Sequence, residues 1–427
     1  MCTRIRPEDI PAPVIELCQT LARNGHRGWV VGGCLRDLLR GQPAADWDLA
    51  TDARPERVAK IFPRVIPTGI QHGTVTVRHR GEGYEVTTLR GEGAYSDGRR
   101  PDHVEYVSDI REDLSRRDFT INAIAYDPVA DALEDPFEGL RDLEARTIRA
   151  VGEPARRFSE DGLRVLRAAR FAATLEFELD PATEAAIAPT LPTFQRVSAE
   201  RVREEWLKAF KARAPSRAFE VMRRTGILAA TYAELAELDD VRFAQALKAV
   251  DLAPRDPIVR LAALLYPLRQ EAGLDDWLQR YRYANAERER VARLLRWAAP
   301  EASFEHAAEV RRFARQVGRP WLAEIAAFGI VVSEAFLGST VQAERLAGQL
   351  RELVTQDTPL TTRELALDGR TLMSELALKP GPILGVLLDH LLELVLEDPA
   401  RNTRESLLER ARAEYDARRL SMDTAKE

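Results

Sequence analysis

The stretch that decides the fold reads GGCLRD at residues 32–37 and DWD at residues 46–48. Apolar residues at 29–31 and 49–51 are typical of strands, so this unit reads as strand, glycine turn, helix and strand. Paired glycines at such a turn let the backbone approach a phosphate. Because side chains alternate along a strand, Asp46 and Asp48 are predicted to project from one face with their carboxylates close together.

Two carboxylates held side by side call for a cation. Mg²⁺ prefers carboxylate oxygens and is commonly completed by the phosphates of a substrate. The pair Asp46 and Asp48 therefore predicts a magnesium site and phosphoryl or nucleotidyl transfer. A lone Asp-x-Asp is usually an exposed pair without function, but its coupling to the glycine turn and to Arg36-Asp37 favours the site.

Composition sets the broad class of the protein. The chain has 427 residues, of which 45% are hydrophobic and 30% charged, as expected of a soluble protein with about three domains. No apolar run is long enough for a membrane span, and the first residues do not begin a secretory signal. Cys2, Cys18 and Cys34 form no metal or redox spacing. We therefore expect a cytoplasmic protein without membrane association.

The net charge of -6 argues against a nucleic-acid partner only if the charge is evenly spread. Basic residues instead cluster in the middle of the chain, at Arg156, Arg157, Arg164, Arg167, Arg170, Arg196, Arg201, Arg203, Lys208, Lys211, Arg213, Arg217, Arg223 and Arg224. Acidic residues lie among them, so charge alone leaves open whether they form a patch for RNA or ordinary solvated helix faces.

The organisation changes once along the chain. Up to about Asp135, short β-rich runs alternate with turns, and strands are predicted at 28–31, 46–50, 74–79, 84–89 and 121–126. After about Leu140 the apolar spacing becomes helical. The expected fold class is an α/β head with a mixed sheet and helices, followed by an all-α remainder.

Two further segments of the head carry candidate site residues. Glu85, on the predicted strand 84–90, is a candidate third carboxylate, although it also fits a surface acid on an edge strand. In RRDFTINA at 116–123, the arginines can clamp a triphosphate while Asp118 and Asn122 read a ribose hydroxyl. Asp118 fits a helix N-cap equally well. The glycine-rich segment 90–101 between them has the composition of a mobile lid.

The segment SEDGLR at 159–164 suggests how a base is chosen. On a helix capped near Ser159, Asp161 and Arg164 are surface neighbours three residues apart. An acid acceptor beside a guanidinium can imitate the pairing edge of a base that carries an exocyclic amine, as cytosine and adenine do. An intrahelical salt bridge gives the same pattern. The same helix continues through Arg167 to Arg170, which lies far around it from Asp161.

Together these motifs resemble the class II tRNA nucleotidyltransferase family, whose members add the CCA end to tRNA and share their head with bacterial poly(A) polymerases. The resemblance rests on residues 32–37, 46–48, 71–75, 85–90, 116–123 and 160–164, in that order. A weaker resemblance to the C-terminal segment of the same enzymes covers residues 367–369, 379–385 and 402–408.

We expect a nucleotidyltransferase head at 1–140, a helical neck with the nucleotide-selecting helix at 141–215, a helical body at 216–335 and a tRNA-binding helical tail at 336–427; residues between about 220 and 360 carry none of the motifs of the resemblance. The expected partners are tRNA, CTP and ATP, and no protein partner is inferable. The resemblance implies that Asp46 and Asp48 bind Mg²⁺ with Glu85 assisting. The implied nucleotide-binding residues are Gly33, Arg36, Arg117, Asp118, Asp161, Arg164, Arg167 and Arg170.

Three alternatives stay open at this stage. An enzyme that adds only CC or only the final A would have a similar head, and residues 97–100 of the lid favour one that can switch to ATP. A poly(A) polymerase is disfavoured because no basic segment stands at 66–70. A catalytically inactive tRNA-binding protein is expected to lack an acid, whereas all three are present. No His-Asp doublet occurs, so we expect no metal phosphohydrolase domain.

Overall fold

The computed structural model describes residues 5–70, 73–91, 105–298 and 304–424. Contacts divide the chain into two compact units. Unit 1 comprises Met1–Asp239 and Asp276–Tyr283, and unit 2 comprises Asp240–Asp275 and Ala284–Glu427. Unit 1 is therefore discontinuous in sequence. The four-segment division expected from the sequence stays a prediction.

The head of unit 1 is a mixed sheet, as the sequence predicts. Its strands are β1 (Gly28–Val31), β2 (Asp48–Thr51), β3 (Val65–Gly69), β4 (Thr74–His79), β5 (Glu82–Thr88), β6 (Ala125–Asp127) and β7 (Ala132–Glu134). They lie in the order β3-β4-β5-β2-β1-β6-β7. Among the described strands of this sheet, only β2 and β5 are parallel neighbours. A separate parallel pair joins β8 (Thr147–Ile148) to β9 (Glu178–Leu179).

Thirteen helices of unit 1 surround and follow the sheet in the described residues. They are α1 (Ala12–Arg23), α2 (Gly33–Leu39), α3 (Pro55–Ile61), α4 (Ile110–Ser115), α5 (Gly139–Glu144), α6 (Pro154–Glu160), α7 (Leu163–Thr174), α8 (Pro181–Ala185), α9 (Ile187–Phe194), α10 (Ala199–Ala209), α11 (Ser216–Arg224), α12 (Ile227–Thr231) and α13 (Ala233–Ala236). Helix α7 packs against both α10 and α11. This arrangement brings the basic middle of the chain into the helical layer beside the head.

Unit 2 is helical throughout its described residues. Its helices are α14 (Asp240–Leu252), α15 (Pro257–Leu265), α17 (Asn285–Trp297), α18 (Ala307–Val317), α19 (Leu322–Phe336), α20 (Val341–Thr355), α21 (Gly369–Glu375), α22 (Pro382–Glu397) and α23 (Arg404–Thr424). Helix α16 (Leu274–Arg280) begins in unit 2, and most of its residues belong to unit 1. No helix in the described parts of the chain is both long and apolar enough to cross a membrane.

The second part of unit 1, Asp276–Tyr283, here called the returning segment, completes an aromatic cluster in this unit. Trp277 lies 5.3 Å from Trp206 and stacks on Tyr232 at 4.7 Å between ring centroids. Its indole nitrogen donates a hydrogen bond of 2.9 Å to the carbonyl of Thr231. The core of the head is separate and packs Trp29, with other apolar side chains, beneath the sheet. Residues distant in sequence therefore close the helical half of unit 1.

Several predicted strand boundaries are wrong. Strand β2 begins at Asp48, so Asp46 lies outside it. The segment expected as a strand at 121–126 begins as a 3₁₀ turn at Thr120–Asn122, and only Ala125–Asp127 pair as β6. The hydrophobic pattern of the sequence does not predict the edge strands β3 and β7, because their side chains are largely exposed and form no buried alternating face.

Candidate active site

A cleft of about 700 Å³ opens in unit 1 beside the glycine turn. Nine of its lining residues are basic and four are acidic, so its charge suits a polyphosphate. The basic ones are Arg36, Arg90, Arg116, Arg117, Arg164, Arg167, Arg170, Arg201 and Lys208, and the acidic ones are Asp46, Asp48, Asp118 and Asp161. Buried donors on Arg117 (Nε) and Arg201 (Nη1) have no hydrogen-bond partner within the described residues.

The glycine turn keeps this cleft open between β1 and α2. Gly32 has φ +85° and ψ -148°, a conformation that side-chain-bearing residues rarely adopt. A Cβ built on Gly32 would lie 3.4 Å from Oδ2 of Asp48 and 3.7 Å from Nη1 of Arg117. Gly33, the first residue of α2, also lines the cleft. The turn therefore leaves room between a carboxylate and a guanidinium.

The two aspartates reach the cleft by a different route from the one predicted. Asp46 is not on a strand but in a bend with φ +51°, so strand alternation does not bring it beside Asp48. Both nonetheless line the cleft, Asp46 exposed and Asp48 half-buried. Burial, then the negative charge of Glu85, raises the pKa of Asp48 to about 6, against the opposing effect of Arg117. A cation at this position would reverse the effect of the neighbouring acids.

Glu85 stands in register with Asp48 across the parallel pair β2 and β5. Its side chain is exposed and is not among the lining residues of the cleft. Within the described parts of the chain, no three His, Cys, Asp or Glu side chains gather closely enough to hold a metal ion. Asp46 and Asp48 both line the cleft and carry hard oxygen donors, so the predicted metal role of this pair and the assisting role of Glu85 stay predictions.

Four predicted residues of the head and α7 join in one hydrogen-bond network through Asn122. The amide oxygen of Asn122 accepts from Nη1 of Arg36 at 2.9 Å, and its amide nitrogen donates to Oδ1 of Asp118 at 3.0 Å. The other oxygen of Asp118 accepts from Nε of Arg167 at 2.7 Å. The backbone carbonyl of Asn122 accepts from Arg117 at 3.3 Å. This network sets the relative positions of the arginines.

Asp118 is buried and stays ionised in this network. Burial alone would raise its pKa, but the guanidinium of Arg167 and the hydrogen bond from Asn122 hold the pKa well below the usual range. Its Oδ1 also accepts from the backbone of Phe119, so Asp118 does not cap a helix of its own. The amide of Asn122 contacts Arg36 through its oxygen and Asp118 through one of its two N–H donors, and its predicted contact with a ribose stays a prediction.

The expected helical pair of Asp161 and Arg164 is wrong in its geometry. Helix α6 ends at Glu160, Asp161 has an extended backbone, and α7 begins at Leu163, so no single helix runs from Ser159 to Arg170. Nη1 of Arg164 instead donates to Oε2 of Glu160 at 2.7 Å. Oδ2 of Asp161 accepts from Nη2 of Arg201 at 2.7 Å. Asp161 and Arg164 both line the cleft, but each is held by another residue.

The far side of the cleft is formed by α7 and α10. Nε of Arg170 donates to Oε2 of buried Glu205 at 2.5 Å, and Nζ of Lys208 lies 3.2 Å from the other oxygen of Glu205. Arg170 and Asp161 both line the cleft, although Arg170 lies within α7 and Asp161 lies between α6 and α7. The sequence assigns Arg201 and Lys208 only to the basic cluster in the middle of the chain. The partner of Arg201, Asp161, lies 40 positions away in the sequence, and the partner of Lys208, Glu205, is buried on the same helix.

Comparison with known proteins agrees with this arrangement. Family models match residues 28–149 ("Poly A polymerase head domain"), 176–238 ("Probable RNA and SrmB- binding site of polymerase A") and 257–411 ("tRNA nucleotidyltransferase domain 2 putative"). The CCA-adding enzyme of Lactobacillus delbrueckii subsp. bulgaricus is 35% identical over 410 residues, which cover 95% of this chain and 99% of the relative. The chain belongs to the CCA-adding enzyme family.

Other members of the CCA-adding enzyme family give the same picture. The Lactobacillus helveticus enzyme is 34% identical over 93% of this chain and 96% of its own length. A crystal structure of the Bacillus stearothermophilus CCA-adding enzyme in complex with CTP has a TM-score of 0.77 and 32% identity, and it covers 96% of this chain and 100% of that one. The predicted family and the α/β head with a helical remainder are thus confirmed. The lid residues at 97–100 lie outside the described residues.

Proposed function

We propose that this protein adds cytidine, cytidine and adenosine to the 3′ end of tRNA, using CTP and ATP without a nucleic-acid template. The observation that carries the proposal is the single cleft that joins the paired aspartates to a basic wall and to Asp161 and Arg164. Such a cleft supplies both a site for phosphoryl chemistry and side chains that can hydrogen-bond a base. Free, buried Cys18 and Cys34 fit the proposed reducing cytoplasm.

The family generally uses a divalent metal ion, and we propose Mg²⁺ held by Asp46 and Asp48. A bound Mg²⁺ would lower the pKa of the attacking hydroxyl and neutralise charge on the phosphates. Asp46 and Asp48 offer the hard oxygen donors that this ion prefers, with substrate oxygens completing its shell. Glu85 would keep negative charge beside Asp48.

The remaining residues would position the nucleotide. The triphosphate would bind at the end of the cleft nearest the glycine turn, to Gly33, Arg36 and Arg117. Asp118 would orient the ribose, and Arg167 would support the phosphates. Asp161 would accept a hydrogen bond from the exocyclic amine of cytosine or adenine, and Arg164 would donate to the ring. Arg170 would stiffen α7 through Glu205. Binding the base requires Asp161 to exchange its contact with Arg201.

The activity assay combines the protein and Mg²⁺ with tRNAs that end before, within and after the CC, and supplies labelled CTP or ATP. We expect addition of all three nucleotides in sequence. Addition of CC alone or A alone would assign the partial activity, and long A tails on unrelated RNA would assign poly(A) polymerase. Absence of any product would overturn the proposed enzymatic activity and would favour a tRNA-binding protein.

Site assignments are tested with single substitutions. Asp48→Asn should lower incorporation by about 10³-fold, since the metal contributes several kcal/mol to the transition state, while tRNA binding stays near the wild-type level. Asp161→Ala should relax the preference for CTP over UTP while leaving triphosphate affinity largely intact. The control Asp131→Asn changes a carboxylate outside the cleft and should leave both incorporation and the preference for CTP over UTP unchanged. Wild-type turnover of Asp48→Asn would remove Asp48 from the metal site.

A further inference from the structure

A second cavity, of about 380 Å³, lies in unit 1. Residues from the end of α9 and the start of α10 form one wall, and Arg280 and Tyr281 of the returning segment form the other. Its described lining includes no acidic residue and one arginine, so the cavity carries net positive charge. None of these residues belongs to the nucleotide cleft.

The second cavity shares a wall with the cleft. Ala199 and Val202 of α10 line the second cavity, whereas Arg201, between them, lines the cleft and binds Asp161. On the other side, a Cβ built on Gly162 would lie only 2.6 Å from the backbone of Phe194, which lines the second cavity. The segment that carries Asp161 is therefore pressed directly against the wall of this cavity.

The side chains of the cavity have the chemistry of a site for single-stranded RNA. Tyr281 is half-buried, and its ring is held 4.9 Å from Trp277 while its hydroxyl donates to the carbonyl of Thr231 at 3.1 Å. A ring fixed in this way can stack on a base without losing rotamer freedom. Gln195 is exposed and offers an amide that can pair with base edges.

Arg280 supplies the charge for a phosphate. It is exposed at the end of α16, and among the described residues it has no ion pair. Arg196, exposed beside Gln195, likewise has no ion pair there. Guanidinium groups without an internal acid partner are those best able to bind a phosphodiester. All lining residues from Phe194 to Ala230 also fall in the segment matched by the family model for an RNA-binding site.

We propose that this second cavity binds one nucleotide of the RNA substrate, with the base against Tyr281 and the phosphate on Arg280. The identity of the RNA as tRNA rests on the proposed function, whereas the site itself does not. Because the cavity adjoins Asp161, its occupancy holds the RNA strand next to the base-selecting residues. The site contributes to affinity for RNA and not to affinity for CTP.

The test measures binding of a tRNA that lacks its CCA end, by fluorescence anisotropy at several salt concentrations without nucleotide. Arg280→Ala should weaken binding several-fold and reduce the salt slope by about one, as loss of one phosphate contact does. Tyr281→Ala should weaken binding about tenfold through lost stacking, whereas Tyr281→Phe keeps the ring and should bind nearly as wild type. The matched control is Arg57→Ala, an exposed arginine on α3.

The KM for CTP, measured at saturating tRNA, should stay within twofold in all of these variants. Wild-type affinity and salt slope in folded Arg280→Ala and Tyr281→Ala would overturn the proposal, and so would an equal loss in Tyr281→Phe. Thermal unfolding identifies a variant that has simply lost its structure, and Tyr281→Leu then replaces Tyr281→Ala. Failure of the proposed function is distinguishable, because it would appear as absent CTP incorporation by the wild type whatever the binding data show.

Discussion

At the residue scale, Asn122 connects the two ends of the cleft. Its amide joins Arg36, near the glycine turn, to Asp118, which in turn binds Arg167 on α7. Each contact is close to ideal length; the bond from Asn122 to Asp118 is buried, and the two arginine contacts are partly buried. We therefore expect the amide to act on the nucleotide through the arginines that it orients, while its direct contact with a ribose stays a prediction.

We expect Asn122→Ala to raise the KM for CTP about tenfold with a smaller change in kcat. The change leaves donors on Arg36 and an acceptor on Asp118 without a partner, which costs about 1–3 kcal/mol for a buried group. Steady-state incorporation on tRNA lacking CCA measures the effect. Asn24→Ala, at an exposed helix end, is the control. An unchanged KM in folded Asn122→Ala would contradict the positioning role.

The lowered pKa of Asp118 makes its contribution to stability depend on pH. A carboxyl whose folded pKa lies below its unfolded value stabilises the fold above the unfolded value, near pH 4, and this contribution is lost as pH falls toward the folded pKa. Wild type should therefore exceed Asp118→Asn in urea midpoint at pH 6, and the difference should shrink toward pH 3. A difference that is constant across this range would exclude the ionised pair with Arg167.

At the scale of elements, the turn between β1 and α2 depends on the positive φ of Gly32, a conformation that residues with a side chain rarely adopt. Gly32→Ala should lower stability by about 1–3 kcal/mol through strain and should also reduce incorporation, because the new methyl group faces Asp48 and Arg117. Gly25→Ala is the matched control: Gly25 also has positive φ, but its Cβ would meet no atom within 4 Å. It should lower the melting temperature and leave the specific activity of the folded protein intact.

The sequence predicted elements well where local pattern decides them. Strands β1 and β4 have the predicted bounds because their alternation and turn residues are local. Asp46 and Asp161 both line the cleft, but their predicted backbone geometry is wrong, because Asp46 lies in a left-handed bend and Asp161 lies at a helix break. The contact from Asp161 to Arg201 crosses 40 positions of the chain, and residue spacing carries no information about it.

At the scale of the whole molecule, unit 1 depends on residues that the chain supplies only after it has entered unit 2. Trp277→Ala should remove several kcal/mol, in the range of about 3–5 for a buried aromatic, and weaken CTP binding by loosening α10 through Trp206. Calorimetry and CTP titration measure the two effects. Trp297→Ala, in unit 2, is the control and should leave CTP affinity unchanged. Equal CTP affinity in both variants would contradict the dependence.

The discontinuity of unit 1 has a consequence for synthesis on the ribosome. Domains commonly fold as units in the order in which they emerge. Here the N-terminal unit cannot complete its aromatic cluster when residue 239 leaves the ribosome, because Trp277 and Tyr283 have not yet emerged. The sheet of the head can form early, whereas the helices beside the cleft must wait. Nascent chains halted before Trp277 should therefore be more sensitive to protease around α10 than chains halted well after Tyr283.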